Sequence, residues 1–238
     1  MTPKTPGVRP DTPNAVRVSL PAVLLLLTVA SGVVDAVSYL RFGHVFVSNM
    51  TGNVVFLGFS AAGAHGLSPS RSVVALACFL LGSFFVGRAV SPLRGHAPRL
   101  LLACVVCEVV LAAAVLAVTA AAGVNDATIW TAIVLLSLGM GAQNAVARKV
   151  AIPDLTTTVV TLTLTGIASE LLEDVAGGKA APRLVRRIGA VIAMLAGAFF
   201  GALLSLRVGT AAAIALLVVI FGVAAVLARP HAAVEPSR

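Results

Sequence analysis

Long apolar stretches alternate with short polar segments along almost the whole chain. Eight of them are rich in Ala, Val, Leu and Gly, and they lie at 20–40, 45–63, 72–90, 100–122, 127–147, 155–172, 188–206 and 208–228. A helix needs about 20 consecutive apolar residues to cross the hydrocarbon core of a bilayer. The pattern therefore predicts an all-α integral membrane protein with a single membrane domain at 20–228.

Composition supports the same class. The chain is 59% hydrophobic and 11% charged, with a mean hydropathy of +1.03, whereas soluble domains carry roughly 25% charged residues. The Pro- and Thr-rich residues 1–19 predict a disordered cytoplasmic tail, and 229–238 predicts a second cytoplasmic tail. A cleaved signal peptide is the alternative for the first run, since Val29-Ala30-Ser31 resembles a cleavage site. That run continues past the site to spanning length, so we expect a membrane helix.

The basic residues separate two arrangements of the eight runs. The net charge of +8 would suit nucleic acid, but these residues fall between apolar runs, as cytoplasmic loops require. We therefore expect the lipid bilayer, and no nucleic acid, as a partner. If all eight runs cross, Lys and Arg divide almost evenly between the two sides. If 45–63 and 155–172 dip in and return, all but three of the 17 basic residues lie inside with both termini, the exceptions being Arg41, Arg71 and Arg207.

Six crossings with two re-entrant or broken helices divide the chain into related halves, 20–122 and 127–228. Each half has three crossings, so the second is inverted relative to the first, as in many secondary transporters. The alternative is seven or eight plain helices whose polar residues bond between helices. Gly197-x-x-x-Gly201 is a small-residue packing motif. A homodimer is compatible with six crossings per chain, although no motif indicates it.

Asp35 is the first candidate for chemistry in the membrane. With Ser31, Ser38 and Tyr39 it shares one face of the first helix, and a charge at this depth often marks an ion pathway. Alternatively, Asp35 pairs with Arg41 or stays hydrated near the outer interface. The matching face of the second half carries amides, Gln143 and Asn144, which would supply neutral hydrogen bonds.

The two dipping runs carry a repeated Thr-Gly. In the first, Gly52 permits a break in the helix, and Asn49, Thr51 and Asn53 add donors and acceptors. Aligning Thr51-Gly52 with Thr165-Gly166 sets Thr163 opposite Asn49. We predict that these residues line a solute or ion site with Asp35, Tyr39, Gln143 and Asn144. The alternative is a Thr-rich helix whose hydroxyls bond to its own backbone.

Glu108 lies about nine residues into the run that starts near Arg99, which predicts a proton-coupling carboxylate. Otherwise it is paired with a basic loop residue or buried protonated. Cys104 and Cys107 lie one turn apart, but zinc sites gather four ligands, so we expect no metal. The chain contains no H-E-x-x-H, G-x-S-x-G or phosphate-binding loop. We expect neither enzyme activity nor a cofactor.

Four motifs carry a family resemblance: SGVVDAVSYL at 31–40, SNMTGN at 48–53, GMGAQNA at 139–145 and TTTVVTLTLTG at 156–166. With these, the chain resembles the YoaK-like family of small bacterial inner-membrane proteins over nearly all of 20–228. The resemblance implies a multi-pass protein of the bacterial plasma membrane whose role is uncharacterised, loosely called a small permease.

Together these observations predict a transporter or facilitator for a small polar solute or ion. The competing hypothesis is a non-transporting structural or lipid-interacting protein. In that case the polar residues serve helix packing, and the basic loops meet anionic lipid.

Overall fold

The computed structural model describes residues 15–89, 97–150, 160–161, 163–168 and 181–229. Helices and connecting turns make up these residues, with no strand among them. The helices with defined bounds are α1 (Ala15–Arg41), α2 (Met50–Ala61), α3 (Pro69–Ala89), α4 (Ala97–Ala122), α5 (Asp126–Val150), α6 (Ala181–Arg207) and α7 (Thr210–Leu227). A further helical segment covers 160–161 and 163–168.

Six helices in the described part of the chain are long and apolar enough to cross a membrane. These are α1, α3, α4, α5, α6 and α7. The remaining one, α2, has 12 residues and a length of about 18 Å, which is too short to cross. The prediction of an all-α membrane protein with six long helices is confirmed, and α2 is a short apolar helix within the first of the two predicted dipping runs.

One helix boundary differs from the predicted tails. Helix α1 begins at Ala15, within the stretch predicted as a tail. The remaining predicted tail residues, 1–14 and 230–238, lie outside the described residues, as does most of the predicted dip at 155–172.

Four helices form the interior of the bundle. Helix α7 packs against α1 and α4, α4 packs against α5, and α5 touches α1. Outside them, α6 packs along α1 and α3 packs along α5. The spans of α1 and α5 are 61% and 56% buried, against 17% for α3 and 28% for α6. The exposed faces of α3 and α6 carry Phe84-Phe85 and Phe199-Phe200, which suits contact with lipid tails.

Glycines allow α1 and α6 to approach each other closely. A Cβ added at Gly32 would clash with the Met194 carbonyl, and one added at Gly197 would clash with the Val29 carbonyl. Gly201 lies against Val33 in the same way. Residue numbers rise together along both helices, so the pair is parallel. Small residues at a crossing are the usual basis of helix association in lipid, and the predicted packing role of Gly197 and Gly201 is confirmed.

Helices α3 and α5 repeat this crossing. A Cβ added at Gly141 would clash with the Phe79 carbonyl, and one added at Gly82 would clash with the Leu138 carbonyl. Each partner is displaced by a constant number of residues. Gly141 and Leu138 of α5 take the places of Gly32 and Val29 of α1, 109 residues earlier in the sequence. Gly197 and Met194 of α6 take the places of Gly82 and Phe79 of α3, 115 residues earlier. The two pairs therefore use one contact geometry.

Contacts at the helix ends show how the pairs are directed. Arg71 at the start of α3 donates to the Phe42 carbonyl just beyond α1, at 3.4 Å. Helix α3 therefore starts where α1 ends, and the two parallel pairs run in opposite directions. At the carboxyl end of each pair, a basic side chain forms a hydrogen bond from one helix to the other. Arg41 of α1 donates to Ser205 of α6, and Lys149 of α5 donates to the Gly87 carbonyl of α3.

Candidate functional site

After α1 the chain turns back along the helix. Gly43 and His44 have positive φ angles of 87° and 57°, which permit the reversal. The ring of Phe46 then stacks on Tyr39 with centroids 5.2 Å apart and planes at 19°. Tyr39, a predicted site residue, therefore packs against the returning chain.

Asn53 satisfies the non-helical backbone of this returning segment. Its side chain accepts from the Phe46 N–H at 2.9 Å and donates to the Phe46 carbonyl at 2.6 Å. Non-helical backbone is tolerated at membrane depth when protein groups satisfy it or when it lines a cavity. Asn53 is fully buried and is absent from the walls of the two cavities described below. Its observed contacts are structural, since they hold the segment that leads into α2.

Asp35 receives the end of the returning segment. Its Oδ1 accepts the Ser48 N–H at 2.8 Å, whereas its Oδ2 has no hydrogen-bond partner among the described residues. The side chain lies six residues before the end of α1, about 9 Å along its axis, and is 5% exposed. Arg41 bonds to Ser205, which leaves the proposed Asp35–Arg41 pair unformed. Helix α2 starts at Met50, and its positive end favours a carboxylate nearby.

A cavity of about 470 Å³ opens beside Asp35. Its walls come from α1, the returning segment, the first turns of α2, α6 and the helical segment of the second half. They are formed by Asp35, Phe46, Ser48, Asn49, Thr51, Gly52, Val55, Phe56, Val160, Thr161 and Met194. Both predicted dipping runs thus contribute to one cavity. Four of the predicted site residues meet here: Asp35, Asn49, Thr51 and Gly52.

A second cavity of about 280 Å³ lies on the other side of residues 48–51. Ser48, Asn49 and Thr51 line both cavities. The second also contains Asn144, Ser83 and Arg148. Residues 48–51, at the end of the returning segment, thus border both a cavity with a carboxylate and a cavity with a guanidinium group.

Gln143 and Asn144 occupy the matching part of α5. The Gln143 side chain donates to the Ser31 hydroxyl of α1 at 3.3 Å, and Asn144 donates to the Met140 carbonyl of its own helix at 2.9 Å. Both amide oxygens are buried and lack a partner within the described part of the chain.

The second half places its predicted residues differently. Thr163 is half-buried, and Thr165 is exposed and donates to the Thr161 carbonyl at 2.9 Å. Gly166 lies beside the guanidinium of Arg187. None of these three lines either cavity. The backbone bond of Thr165 is what the self-satisfied Thr-rich helix predicts.

Glu108 is buried between helices and lines neither of these two cavities. It is 2% exposed, and its side chain lies against Gly139 of α5. Neither carboxylate oxygen has a hydrogen-bond partner among the residues that the structure describes. Nor do any three His, Cys, Asp or Glu residues of that part gather as metal ligands would.

Sequence reasoning missed several wall residues, among them Phe46, Ser83 and Met194. One signal could have found two of them: Gly82-Ser-Phe-Phe in α3 recurs as Gly197-Ala-Phe-Phe in α6. Ser83 and Met194 lie within three residues of these glycines. No sequence signal points to Phe46, because its position depends on the reversal after α1.

Comparison with known proteins places the chain in a family. A profile described as a protein of unknown function (DUF1275) matches residues 23–227. The UPF0700 transmembrane protein YoaK of Bacillus subtilis (strain 168) is 35% identical over 161 residues, which cover 65% of this chain and 67% of that protein. No solved structure matches. The chain is thus a multi-pass membrane protein that belongs to the DUF1275 family.

Proposed function

We propose that this protein is a secondary transporter or facilitator for a small polar solute or ion, with no enzyme activity. The observation that carries the proposal is the 470 Å³ cavity, where buried Asp35, the start of α2 and Thr161 of the second half converge. A cavity of this size suits a small molecule. Polar and ionisable residues at membrane depth often mark the path of a substrate or ion.

We further infer that the halves are inverted repeats. Four observations support this: the two glycine crossings, the opposite directions of the helix pairs, the basic closures at their carboxyl ends, and the recurrence of Gly-x-x-[Asp/Asn]-Ala-Val at 32–37 and 141–146. In such transporters the solute binds at the interface of the repeats, beside the ends of broken helices. The cavity at Asp35 has this location.

The chemistry of the cavity favours a solute with a positive charge or several hydrogen-bond donors. The free Oδ2 of Asp35 is an acceptor, and Asn49 and Thr51 add polar side chains to the wall. The second cavity carries Arg148, which would repel a cation. We infer that the cation site is confined to the cavity that contains Asp35.

Orientation follows from the charges. We place the end that bears Arg41, Arg71 and Arg207 outside the cell and both termini in the cytoplasm, in a bacterial inner membrane. Association as a homodimer stays a prediction.

A ligand panel with matched variants tests the proposal. The purified protein would be melted with Na⁺, K⁺, ammonium, methylammonium and guanidinium, and with urea and glycerol as neutral solutes. A solute that stabilises the wild type is then followed into proteoliposomes. We expect Asp35→Asn to lower the affinity for a cationic solute at least tenfold, about 1.4 kcal/mol, and to abolish its uptake. Asn144→Asp in the Asp35→Asn background should not restore binding, because Arg148 shares that cavity.

The competing hypothesis makes the opposite prediction. A structural or lipid-interacting protein would show no stabilisation by any solute of the panel and no flux above that of empty liposomes. That pair of results would reject transport. Flux that is unchanged in Asp35→Asn would instead reject the role of Asp35 in binding the solute.

A further inference from the structure

We propose that Glu108 is a proton-binding site apart from the solute cavity, linked to Asp35 through Gln143 and Ser31. The role of this proton in coupling rests on the proposed transport function. The proton site itself does not, because it follows from the groups buried around α4 and α5.

The interior has more acceptors than donors. Among the described residues, the buried atoms without a partner in α1, α4 and α5 include five acceptor oxygens, namely Asp35 Oδ2, both carboxylate oxygens of Glu108, Gln143 Oε1 and Asn144 Oδ1. One hydroxyl, that of Ser137, is the unpaired donor in these helices. Buried acceptors without donors are costly, and a carboxylate becomes a donor only when it binds a proton.

Among the described residues no cation lies close to Glu108, since Arg99, the basic residue of α4, is nine residues away, about 14 Å along the helix axis. On the facing helix α5, the titratable residues are Asp126 in the first turn and Arg148 and Lys149 in the last turn, whereas Glu108 lies against Gly139 at mid-helix. Helix α7, which also packs against α4, has no titratable residue. On α4 itself, Cys104 is buried and Cys107 is exposed. An isolated buried carboxylate costs several kcal/mol, so binding a proton is the lower-energy state.

A chain of buried polar groups leads from Glu108 towards the cavity. Helices α4 and α5 are antiparallel, so Gln143, one turn beyond Gly139, lies level with Cys104, one turn before Glu108. The oxygen of Gln143 is unpaired, and its nitrogen donates to Ser31. Ser31 lies one turn before Asp35 on the same face of α1. The Ser31 hydroxyl itself donates to the Leu27 carbonyl at 3.0 Å. The proposed link therefore acts through the polarity of the groups between the two acids and not through an unbroken chain of hydrogen bonds.

Infrared spectroscopy and carbodiimide labelling test the proton site without any solute. Full-length protein in liposomes would be titrated with acid and base while the C=O stretching band of carboxylic acids is recorded. Because Asp35 is a second buried carboxyl group, the variants are compared in the Asp35→Asn background. There we expect a band near neutral pH that is missing in Glu108→Gln and unchanged in Cys107→Ser, a substitution one residue away. Dicyclohexylcarbodiimide, which attacks protonated carboxyl groups in apolar surroundings, should label Glu108 in the wild type.

The link is tested with two further variants. Removing the charge at Asp35 by Asp35→Asn should lower the proton affinity of Glu108 about threefold, as expected for residues coupled through the polar groups between them. In Gln143→Leu the same Asp35 substitution should have little effect. A full-sized shift in the Gln143→Leu background would mean coupling through space and would reject the polar link.

Three outcomes overturn the proton site itself. They are the absence of the band in the folded Asp35→Asn protein, its survival when Glu108→Gln is added to that background, and its loss on adding Na⁺ at fixed pH, which would mark a metal-cation site. A protonated Glu108 in a protein without flux would reject transport and leave the site standing, so the two proposals can fail separately.

Discussion

The parallel pairs α1–α6 and α3–α5 are built on one plan and carry different chemistry. Gly32 and Gly197 bring the first pair together, and Gly141 and Gly82 bring the second together in the same register. At the matching polar position, however, the first pair has Asp35 and the second has Asn144. The Asp35 carboxylate accepts an N–H from the returning segment, whereas the Asn144 amide donates to its own helix.

The comparison distinguishes contacts that pack the helices from groups that belong to the proposed solute site. The contacts that both pairs share are backbone approaches at glycine, which any solute site in this bundle would need. Among the described residues, the groups that distinguish the first pair are the Asp35 carboxylate and the larger cavity beside it. If both helix pairs carried neutral groups, the bundle would suit passive passage of a solute. With a carboxylate in the first pair alone, a cation would bind on the Asp35 side of residues 48–51.

The largest effect should come from breaking the shared crossing. We expect Gly82→Leu and Gly197→Leu each to destabilise the protein by about 3 kcal/mol, because the facing backbone carbonyl leaves no room for a side chain. Size-exclusion elution after heating in detergent measures the loss. Gly222→Leu, where no atom lies within 4 Å of an added Cβ, is the control. A loss at only one of the two crossings would show that the pairs are not equivalent.

A smaller effect should follow from disturbing the returning segment alone. Asn53→Ala leaves the Phe46 N–H and carbonyl without their side-chain partner, at a cost of about 2 kcal/mol. It should also weaken cation binding, because Phe46 positions the segment whose Ser48 N–H reaches Asp35. Thr131→Val, which removes an exposed hydroxyl bonded to its own helix, should change neither melting temperature nor affinity. Unaltered binding in Asn53→Ala would show that Asp35 acts independently of the segment.

The smallest effect concerns the exposed end of α3–α5. Arg71 and Asp126 form an ion pair at 2.7 Å with side chains 20% and 73% exposed. We expect Asp126→Asn to cost about 0.5 kcal/mol and the cost to vanish at high salt. Arg41→Gln, at the end of α1–α6, replaces a bond to a neutral serine, so its cost should depend less on salt. Equal salt dependence would contradict this distinction, and melting curves at low and high ionic strength measure it.

Much of the architecture could be predicted from hydrophobic runs and charge placement. The count of six long helices and the short one at 50–61 required only the spacing of apolar residues and the asymmetry of Lys and Arg. The site was predicted in part. Asn49, Thr51 and Gly52 line the cavity with Asp35, but Asn53 bonds to the backbone and Tyr39 packs on a ring, since hydrogen bonding alone does not tell a ligand from a structural partner.

The sequence alone determined the membrane class, the number of long apolar helices and the acidic residues within apolar runs, because transfer from water to lipid depends on composition and length. Only the tertiary structure decided what those acids face. Asp35 meets a cavity and a backbone amide, whereas Glu108 meets a glycine and has no partner among the described residues. That distinction arises from how helices distant in sequence cross, and each crossing depends on backbone contacts that no single segment specifies.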